Sequence, residues 1–274
     1  PILQTAIVGA NSFAPTEPRN VNTILTFSLI LAALLAGLAG FNFILRLSLR
    51  APRVRETASL AQHGLTGREV WLPTQRGKRL FGWLLPGKPD IPAPTIVVLH
   101  GWGANAEMML PLARPLQAAG LTILLIDARN HGASDSDTFS SMPRFAEDLD
   151  AAIAWLKPQP EVLAGNIAVI GHSVGAAAAL LAASRRSDLA GVISLAAFAH
   201  PAAMMRRWLA AKGLPYFPLG WYVLRYVQHV IGHRFDNIAP INTIARITCP
   251  VLLVHGADDS TVPVSDAHAI LARR

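Results

Sequence analysis

The sequence predicts an α/β fold, in which helices cover both faces of a mostly parallel sheet, preceded by one transmembrane helix. Two observations lead to this prediction. From Thr95 onward, short aliphatic runs bounded by turn residues alternate with helical stretches, and such runs are typical of buried parallel strands. Nearer the N-terminus, the chain carries no charged residue from Val21 to Leu45, a length suited to a membrane span.

The individual elements follow from the same alternation. We predict the main strands at Thr95–Leu99, Thr122–Ile126, Ile167–Ile170, Val192–Leu195 and Val251–Val254. Helices are predicted between them at Ala104–Ala119, Phe145–Leu156 and Val174–Arg186. Before the main strands, two β-rich runs on either side of Gly77 predict a hairpin, at Glu69–Pro73 and Arg79–Pro86.

The uncharged segment is long enough for a membrane helix. A helix over Thr23–Leu45 reaches roughly 35 Å, whereas a hydrocarbon core is about 30 Å thick. A cleaved signal peptide is the alternative, with its cleavage site at Ala36–Ala39, but signal peptides have apolar cores of only about 7–15 residues. Basic residues mark the cytoplasmic side of a span, and this one is followed by Arg46, Arg50, Arg53 and Arg55. We therefore expect a single-pass anchor, with the C-terminal domain in the cytoplasm.

The net charge of +7 does not indicate a nucleic-acid partner, because the arginines beside the span account for much of it. We therefore expect the lipid bilayer, and no nucleic acid, as a partner. Cys249 is the only cysteine, so no intramolecular disulfide can form. Its place before an apolar run favours a small buried hydrophobe.

A serine lies at the most informative position of the chain. Residues 167–175 read Ile-Ala-Val-Ile-Gly-His-Ser-Val-Gly, and an alanine- and leucine-rich helical stretch follows. A strand, a sharp turn with G-x-S-x-G and a helix are together typical of a nucleophile elbow. Side chains at Gly171 and Gly175 would clash where the chain packs close to the serine. We expect Ser173 to be the catalytic nucleophile.

A nucleophilic serine needs hydrogen-bond donors for the oxyanion that forms when it attacks a carbonyl. One donor is the backbone N–H after the nucleophile, here Val174. The other comes from the loop after an earlier strand, and Trp102 between Gly101 and Gly103 is the candidate. Both glycines let this backbone come close to the serine.

The serine also needs an acid and a base. Asp258 and Asp259 follow the strand Val251–Val254, and we favour Asp259 because only one of two adjacent side chains usually points inward. His100 is a candidate base by residue type, but a histidine before glycine at a strand end is more often structural. An aromatic-rich insertion at residues 200–247, which includes Trp208 and Trp221, is interpreted as a helical lid, with ordinary helix packing as the alternative.

Four motifs occur in an order that resembles the α/β-hydrolase superfamily, in its esterase- and lipase-like branch with a single membrane anchor. They are His100-Gly-Trp-Gly, Asp127-Ala-Arg-Asn-His-Gly-Ala-Ser134, Gly-His-Ser173-Val-Gly and His255-Gly-Ala-Asp-Asp-Ser-Thr-Val-Pro263. The resemblance covers residues 69–274 and implies the α/β-hydrolase fold. It also implies that Asp259 is the acid of the triad. The resemblance does not specify the substrate, but the aromatic-rich insertion and the tether close to a bilayer favour a small apolar acyl ester, or a thioester or amide.

The histidine departs from the family pattern. Relatives carry it after one more strand, some way past the acid, so we expect the base, a last strand and a last helix beyond residue 274. His268 lies on a stretch that reads as helix, where it would point away from the serine. A chain without the base would instead be a non-catalytic binding or scaffold domain, and this alternative stays open.

The resulting organisation is an N-terminal loop (1–20), a transmembrane helix (21–45), a basic juxtamembrane linker (46–68) and the α/β-hydrolase domain (69–274). No P-loop, C-x-x-C or H-E-x-x-H is present, so we expect no cofactor and no metal. His131 lies near Asp127 and could suggest a metal, but its motif is expected to be a turn that packs beneath the site.

Overall fold

The computed structural model describes residues 19–88 and 91–274. The chain divides into two units, with the boundary between Ile44 and Leu45. In the first unit, α1 begins at Arg19, at the end of the loop predicted over residues 1–20, and residues 1–18 of that loop lie outside the described residues. The helix runs over Arg19–Ser48, and its part from Val21 has a mean hydropathy of 2.3 and is unburied. Its length and composition suit a membrane anchor, although a signal sequence has the same features.

The second unit contains a seven-stranded sheet in the order β1-β2-β4-β3-β5-β6-β7. The strands β2 and β4 pair antiparallel, as do β1 and β2, and the remaining pairs are parallel. The mostly parallel sheet and the predicted hairpin are therefore confirmed. The strands are β1 (Arg68–Pro73), β2 (Arg79–Leu85), β3 (Ala93–Leu99), β4 (Thr122–Ile126), β5 (Val162–His172), β6 (Gly191–Leu195) and β7 (Val251–Val254).

Helices follow the parallel strands, and local hydrogen bonds help to determine where they begin. The helix α3 begins before the predicted Phe145 because the Ser141 side chain accepts a hydrogen bond from the Arg144 N–H and caps it. The helices of the domain are α2 (Leu110–Ala118), α3 (Met142–Leu156), α4 (Val174–Ala183), α5 (Pro201–Ala211), α6 (Trp221–Ile231), α7 (Phe235–Ile238), α8 (Pro240–Thr243) and α9 (Ser265–Leu271).

The centre of the sheet is the most deeply buried part of the domain. Every residue of β4 is buried, and so is every residue of α4. The small alanine side chains of α4 let its backbone pack close to the strands. The ends of β3, β4 and β5 are thus held on a rigid base. Because these strands are parallel, the loops that follow them lie at the same edge of the sheet.

Candidate active site

Ser173 occupies a strained turn between β5 and α4. Its backbone has φ 53° and ψ −117°, a conformation that costs a non-glycine residue about 1–3 kcal/mol. Two hydrogen bonds hold it there: the Ser173 N–H donates to the Leu195 carbonyl at 2.8 Å, and the Ser173 carbonyl accepts from the Ala177 N–H at 3.1 Å. The side chain is half-buried, so the turn presents its hydroxyl at the edge of the sheet.

Two glycines allow this turn to pack. A Cβ atom at Gly171 would lie 2.3 Å from the Gly175 carbonyl oxygen, and one at Gly175 would lie 2.3 Å from the His100 carbonyl oxygen. Both distances are far below van der Waals contact with backbone atoms that cannot move aside. Only hydrogen fits at either position, and the elbow therefore packs directly against the loop after β3.

That loop also approaches the serine. A Cβ atom at Gly101 would lie 3.3 Å from the Ser173 Cβ, so the backbone next to Trp102 runs beside the serine side chain. Within residues 19–88 and 91–274, the N–H groups of Trp102 and Val174 donate no hydrogen bond to a protein acceptor. Two free amides flanking a serine are able to bind a developing oxyanion.

His100 is a structural residue. Its ring is fully buried, its Nδ1 donates to the Gly101 carbonyl at 2.6 Å, and its Nε2 accepts from the Ala128 N–H at 3.1 Å. Burial, together with the neighbouring His131, lowers the pKa of His100 to about 3. Because both ring nitrogens are occupied and the ring stays neutral, His100 cannot act as the base.

The loop after β7 distinguishes the two candidate acids. The Asp259 Oδ1 accepts hydrogen bonds from the N–H groups of Thr261 at 2.8 Å and Val262 at 2.9 Å. The bond from Val262, with the bond from Thr261 and the nearby His255 and His172, lowers the pKa of Asp259. Asp258, by contrast, is exposed.

The charge of Asp259 acts on His172, which directly precedes Ser173, so the acid loop lies near the elbow. The Nε2 of His255 is not free to act as the base, since it is hydrogen-bonded to the Val262 carbonyl at 2.7 Å. His268 is exposed on α9. In the described part of the chain, no hydrogen bond joins a histidine to the Ser173 hydroxyl.

Asp127 and His131 lie beneath these loops. The buried Asp127 carboxylate accepts from the Ala106 N–H at 2.7 Å and from the Ala133 N–H at 2.8 Å. The His131 Nδ1 lies 3.0 Å from the Arg129 carbonyl, and burial lowers the pKa of His131 to about 4. The two side chains therefore hold the turn together. No group of three or more potential metal ligands occurs within residues 19–88 and 91–274.

The insertion at residues 200–247 contains α5 to α8 and follows β6. Several of its aromatic side chains are exposed, with Phe217 75% exposed, Trp208 56% and Trp221 45%, whereas Phe235 is buried. The sequence argument missed Glu56, an isolated acidic residue of the polar linker; burial, followed by the charge of Glu56, raises the pKa of Asp127. No periodicity or motif surrounds Glu56, so only the tertiary contact reveals it.

Comparison with known proteins identifies the family. The family model described as "Hydrolase_4: Serine aminopeptidase, S33" matches residues 90–232. The uncharacterized protein Rv2307c of Mycobacterium tuberculosis is 32% identical over 210 residues, which cover 75% of this chain and 66% of that protein. The α/β-hydrolase domain-containing protein WAV2 of Arabidopsis thaliana is 26% identical over 212 residues, covering 74% and 65%. The chain thus spans just under two thirds of these relatives' lengths.

Solved structures show the same fold. The esterase Pf2001 of Pyrococcus furiosus superimposes with a TM-score of 0.65 at 23% identity, covering 82% of this chain and 84% of the esterase. Est1E of Butyrivibrio proteoclasticus, bound to ferulic acid, superimposes with a TM-score of 0.60 at 22% identity, covering 74% and 85%. The fold is shared with these structures, and the family model matches more than half of this chain. The chain therefore belongs to the serine aminopeptidase S33 family of the α/β-hydrolase superfamily.

Proposed function

We propose that this α/β-hydrolase is a serine hydrolase that cleaves a carboxylic ester, or a thioester or amide, through an acyl-enzyme on Ser173. The observation that carries the proposal is the strained backbone of Ser173, with φ 53° and ψ −117°. The N–H groups of Trp102 and Val174, on either side of this serine, donate to no acceptor in the described residues. Strain of this kind persists only where surrounding structure enforces it. The esterases among the similar structures support the choice of an ester.

In the proposed mechanism, the Ser173 Oγ attacks the acyl carbon and its proton passes to a histidine, for which we propose a place beyond residue 274. The N–H groups of Val174 and Trp102 bind the oxyanion of the tetrahedral intermediate. Asp259 orients the histidine, which then protonates the leaving alcohol. Water, activated by the same histidine, releases the acid and restores the serine. The reaction needs no cofactor.

A fluorophosphonate probe tests the nucleophile in the full-length protein. Labelling is expected, and Ser173→Ala should abolish it, whereas Ser184→Ala, at the far end of α4, should leave it intact. Labelling that survives Ser173→Ala would refute the assignment. A full-length protein that is not labelled at all would favour the non-catalytic binding domain.

The apolar helix α1 supports a membrane location for this hydrolase. We propose that α1 anchors the chain and that the domain lies in the cytoplasm, because Arg46, Arg50, Arg53 and Arg55 follow the helix. A protease added to intact cells should then spare the domain and digest it only after lysis. Digestion without lysis would reverse the orientation, and a domain released in soluble form would indicate a cleaved signal sequence.

A further inference from the structure

The connection between α5 and α6 turns its apolar side chains to solvent. We call residues 210–218, which form this connection, the tip, and every one of them is exposed. Its large side chains are those of Leu214, Tyr216 and Phe217. Large apolar side chains that are exposed side by side mark a surface that contacts a partner, whereas single ones are common on any protein. The tip is therefore a candidate interaction surface.

The shape of the tip is fixed by the helix before it. The Leu214 N–H donates to the Leu209 carbonyl at 3.0 Å. The Arg206 Nη2 donates to the Tyr216 hydroxyl at 2.9 Å, and the guanidinium lies 4.3 Å from the centre of the tyrosine ring. Because these contacts hold the tip on α5, the exposure of Phe217 belongs to the folded form of the insertion.

The chain on both sides of the tip supplies cations and no carboxylate. No aspartate or glutamate occurs from Leu189 to Phe235. Within this stretch, Arg207 pairs at 2.7 Å with Asp266, which lies outside the insertion. The other basic residues of the stretch are exposed: Arg206, Lys212, Arg225 and Arg234. The tip is therefore an apolar surface flanked by positive charge.

This combination fits the surface of an anionic lipid bilayer. Aromatic side chains favour the level of the lipid headgroups, and lysine and arginine are attracted to anionic headgroups. A nucleic acid would attract the cations but offers no apolar medium for Leu214 and Phe217. A second copy of the chain that paired through the same surface would place cation against cation. The apolar helix α1, long enough to cross a membrane, also favours a lipid partner.

We propose that the tip is a second membrane contact besides α1, which docks on anionic phospholipid and inserts Leu214 and Phe217 among the headgroups. The strands β5 and β6 are parallel, so the insertion leaves β6 at the sheet edge where Ser173 follows β5. Docking of the tip holds this edge of the domain at the lipid surface, where apolar esters collect. This last consequence rests on the proposed ester hydrolysis, whereas the docking itself does not.

Both kinds of side chain contribute to the expected strength of docking. Each lysine or arginine near an anionic membrane strengthens binding by about fivefold. Burial of part of the Phe217 ring should add about tenfold. Because salt screens the attraction between exposed charges, docking should weaken at high ionic strength.

A fluorescent label on the full-length protein in lipid nanodiscs measures docking. In a Cys249→Ser background, an environment-sensitive nitrobenzoxadiazole dye is attached after Ala210→Cys, at an exposed position of the tip. With phosphatidylglycerol in the nanodisc, the emission should shift to shorter wavelength and spin-labelled lipid should quench it. With phosphatidylcholine alone, the docking constant should be at least about tenfold lower. The dye attached after Ala164→Cys, near the opposite end of β5 from Ser173, should remain in water in both nanodiscs.

Matched charge variants test the role of the cations. Lys212→Gln combined with Arg225→Gln should lower the docking constant by about 25-fold, because two cations are removed. Lys88→Gln combined with Arg273→Gln removes the same charge from exposed positions outside the insertion. This control should dock like the unaltered protein.

A second pair of variants tests the apolar contact. Phe217→Ser should lower the docking constant by about tenfold. Ile91→Ser removes an equally exposed type of side chain outside the insertion and should have no effect. Since Phe217 is exposed, both variants should fold, and thermal unfolding checks this.

The dye needs no turnover, so a protein that cleaves no ester contradicts the proposed function and leaves the docking result valid. If α1 proves to be a cleaved signal sequence, flotation of the mature protein with vesicles of the same lipids applies the same variants. A dye on the tip that stays in water in anionic nanodiscs, or docking that is insensitive to Lys212 and Arg225, would overturn the inference. A shift that appears without lipid and grows with protein concentration would also overturn it, in favour of a second copy of the chain.

Discussion

The loops on the two sides of Ser173 differ in how tightly they are held. On one side, the loops after β3 and β4 are anchored by His100 and Asp127, both fully buried and bonded through every side-chain nitrogen or oxygen. On the other side, the insertion after β6 exposes Phe217 by 75% and Trp208 by 56%. The first region has backbone contacts that admit no side chain, whereas the second exposes several of its large aromatic side chains.

This difference distinguishes the loops whose geometry the proposed reaction requires from the insertion, whose sequence is free to vary. Oxyanion donors work only when they are fixed before the reaction begins, and the loops after β3 and β5 fulfil that condition. A surface insertion tolerates sequence change and commonly determines which substrate enters. We therefore expect substitutions in the first region to affect turnover and folding, and those in the insertion to affect substrate choice.

The largest effect is expected at the acid. Hydrogen bonds from Thr261 and Val262 fix Asp259 in the loop after β7, as the loops after β3 and β4 are fixed. Asp259→Asn in the full-length protein should therefore lower kcat by about 10⁴-fold, as loss of the triad acid does in serine proteases. Asp258→Asn, at the exposed neighbour, should cost far less. Steady-state kinetics on a p-nitrophenyl ester measure both. The reverse ranking would move the acid to Asp258.

Substitution of one glycine in each region compares how much the two regions constrain the backbone, measured as the free energy of unfolding. Gly175→Ala places a Cβ 2.3 Å from a backbone oxygen, so it should reduce the free energy of unfolding by about 3 kcal/mol or more, or prevent folding. Gly213→Ala in the insertion meets no atom within 4 Å but has φ 70°, and should cost about 1–2 kcal/mol. Urea unfolding gives both values. Equal costs would show that the two regions are equally constrained.

The insertion is expected to affect the choice of acyl group. Each buried methylene contributes about 0.8 kcal/mol, so extending the acyl chain from acetate to hexanoate should raise kcat/KM by up to about 150-fold, the equivalent of roughly 3 kcal/mol. Trp208→Ala or Trp221→Ala should flatten this rise if the ring covers the chain in the complex. A steep preference for acetate would indicate a short, closed pocket and would exclude an acyl-binding lid.

The buried imidazoles predict an acid-sensitive core. The pKa values of His100 and His131 are lowered to about 3 and 4 from 6.5, so their stability contribution is complete above about pH 6.5 and is lost as pH falls. The free energy of unfolding should fall by up to about 1.4 kcal/mol per pH unit for each imidazole. His100→Gln should lower this slope, whereas His233→Gln, at an exposed position of the insertion, should not. Stability that is constant down to pH 4 would contradict the assignment.

Much of the fold was predictable because it depends on local patterns. The aliphatic runs located β4 and β7 to the residue. β4 is buried along its whole length, as such a run predicts, whereas β7 leaves Leu252 and Val254 exposed. The pattern was weaker for β5, which begins at Val162 rather than Ile167, because Gly165 and Asn166 interrupt the apolar run and residues 163–166 are exposed. The helix α2 begins at Leu110 rather than Ala104, since Glu107–Met109 form a 3₁₀ turn and the Asn105 side chain donates a hydrogen bond to the Val54 carbonyl.

The candidate site was predictable where a motif requires one residue type at one place. The elbow needs glycine at 171 and 175, and the structure gives the clashes that explain this need. The packing of residues 51–63 on the loops after β3 and β4 was not predictable, because the contacts of Pro52, Arg53 and Thr57 join residues about 50 to 80 positions apart and leave no local pattern. Such contacts depend on the packed loops and become visible only in the folded chain.

The acyl-enzyme on Ser173 tests the central claim most directly. The full-length protein is mixed rapidly with a p-nitrophenyl ester, quenched in acid, digested and analysed by mass spectrometry. The account predicts one acyl group per chain on the peptide that contains Ser173, released with time and absent in Ser173→Ala. An acyl group on another residue, or turnover that proceeds unchanged in Ser173→Ala, would contradict it.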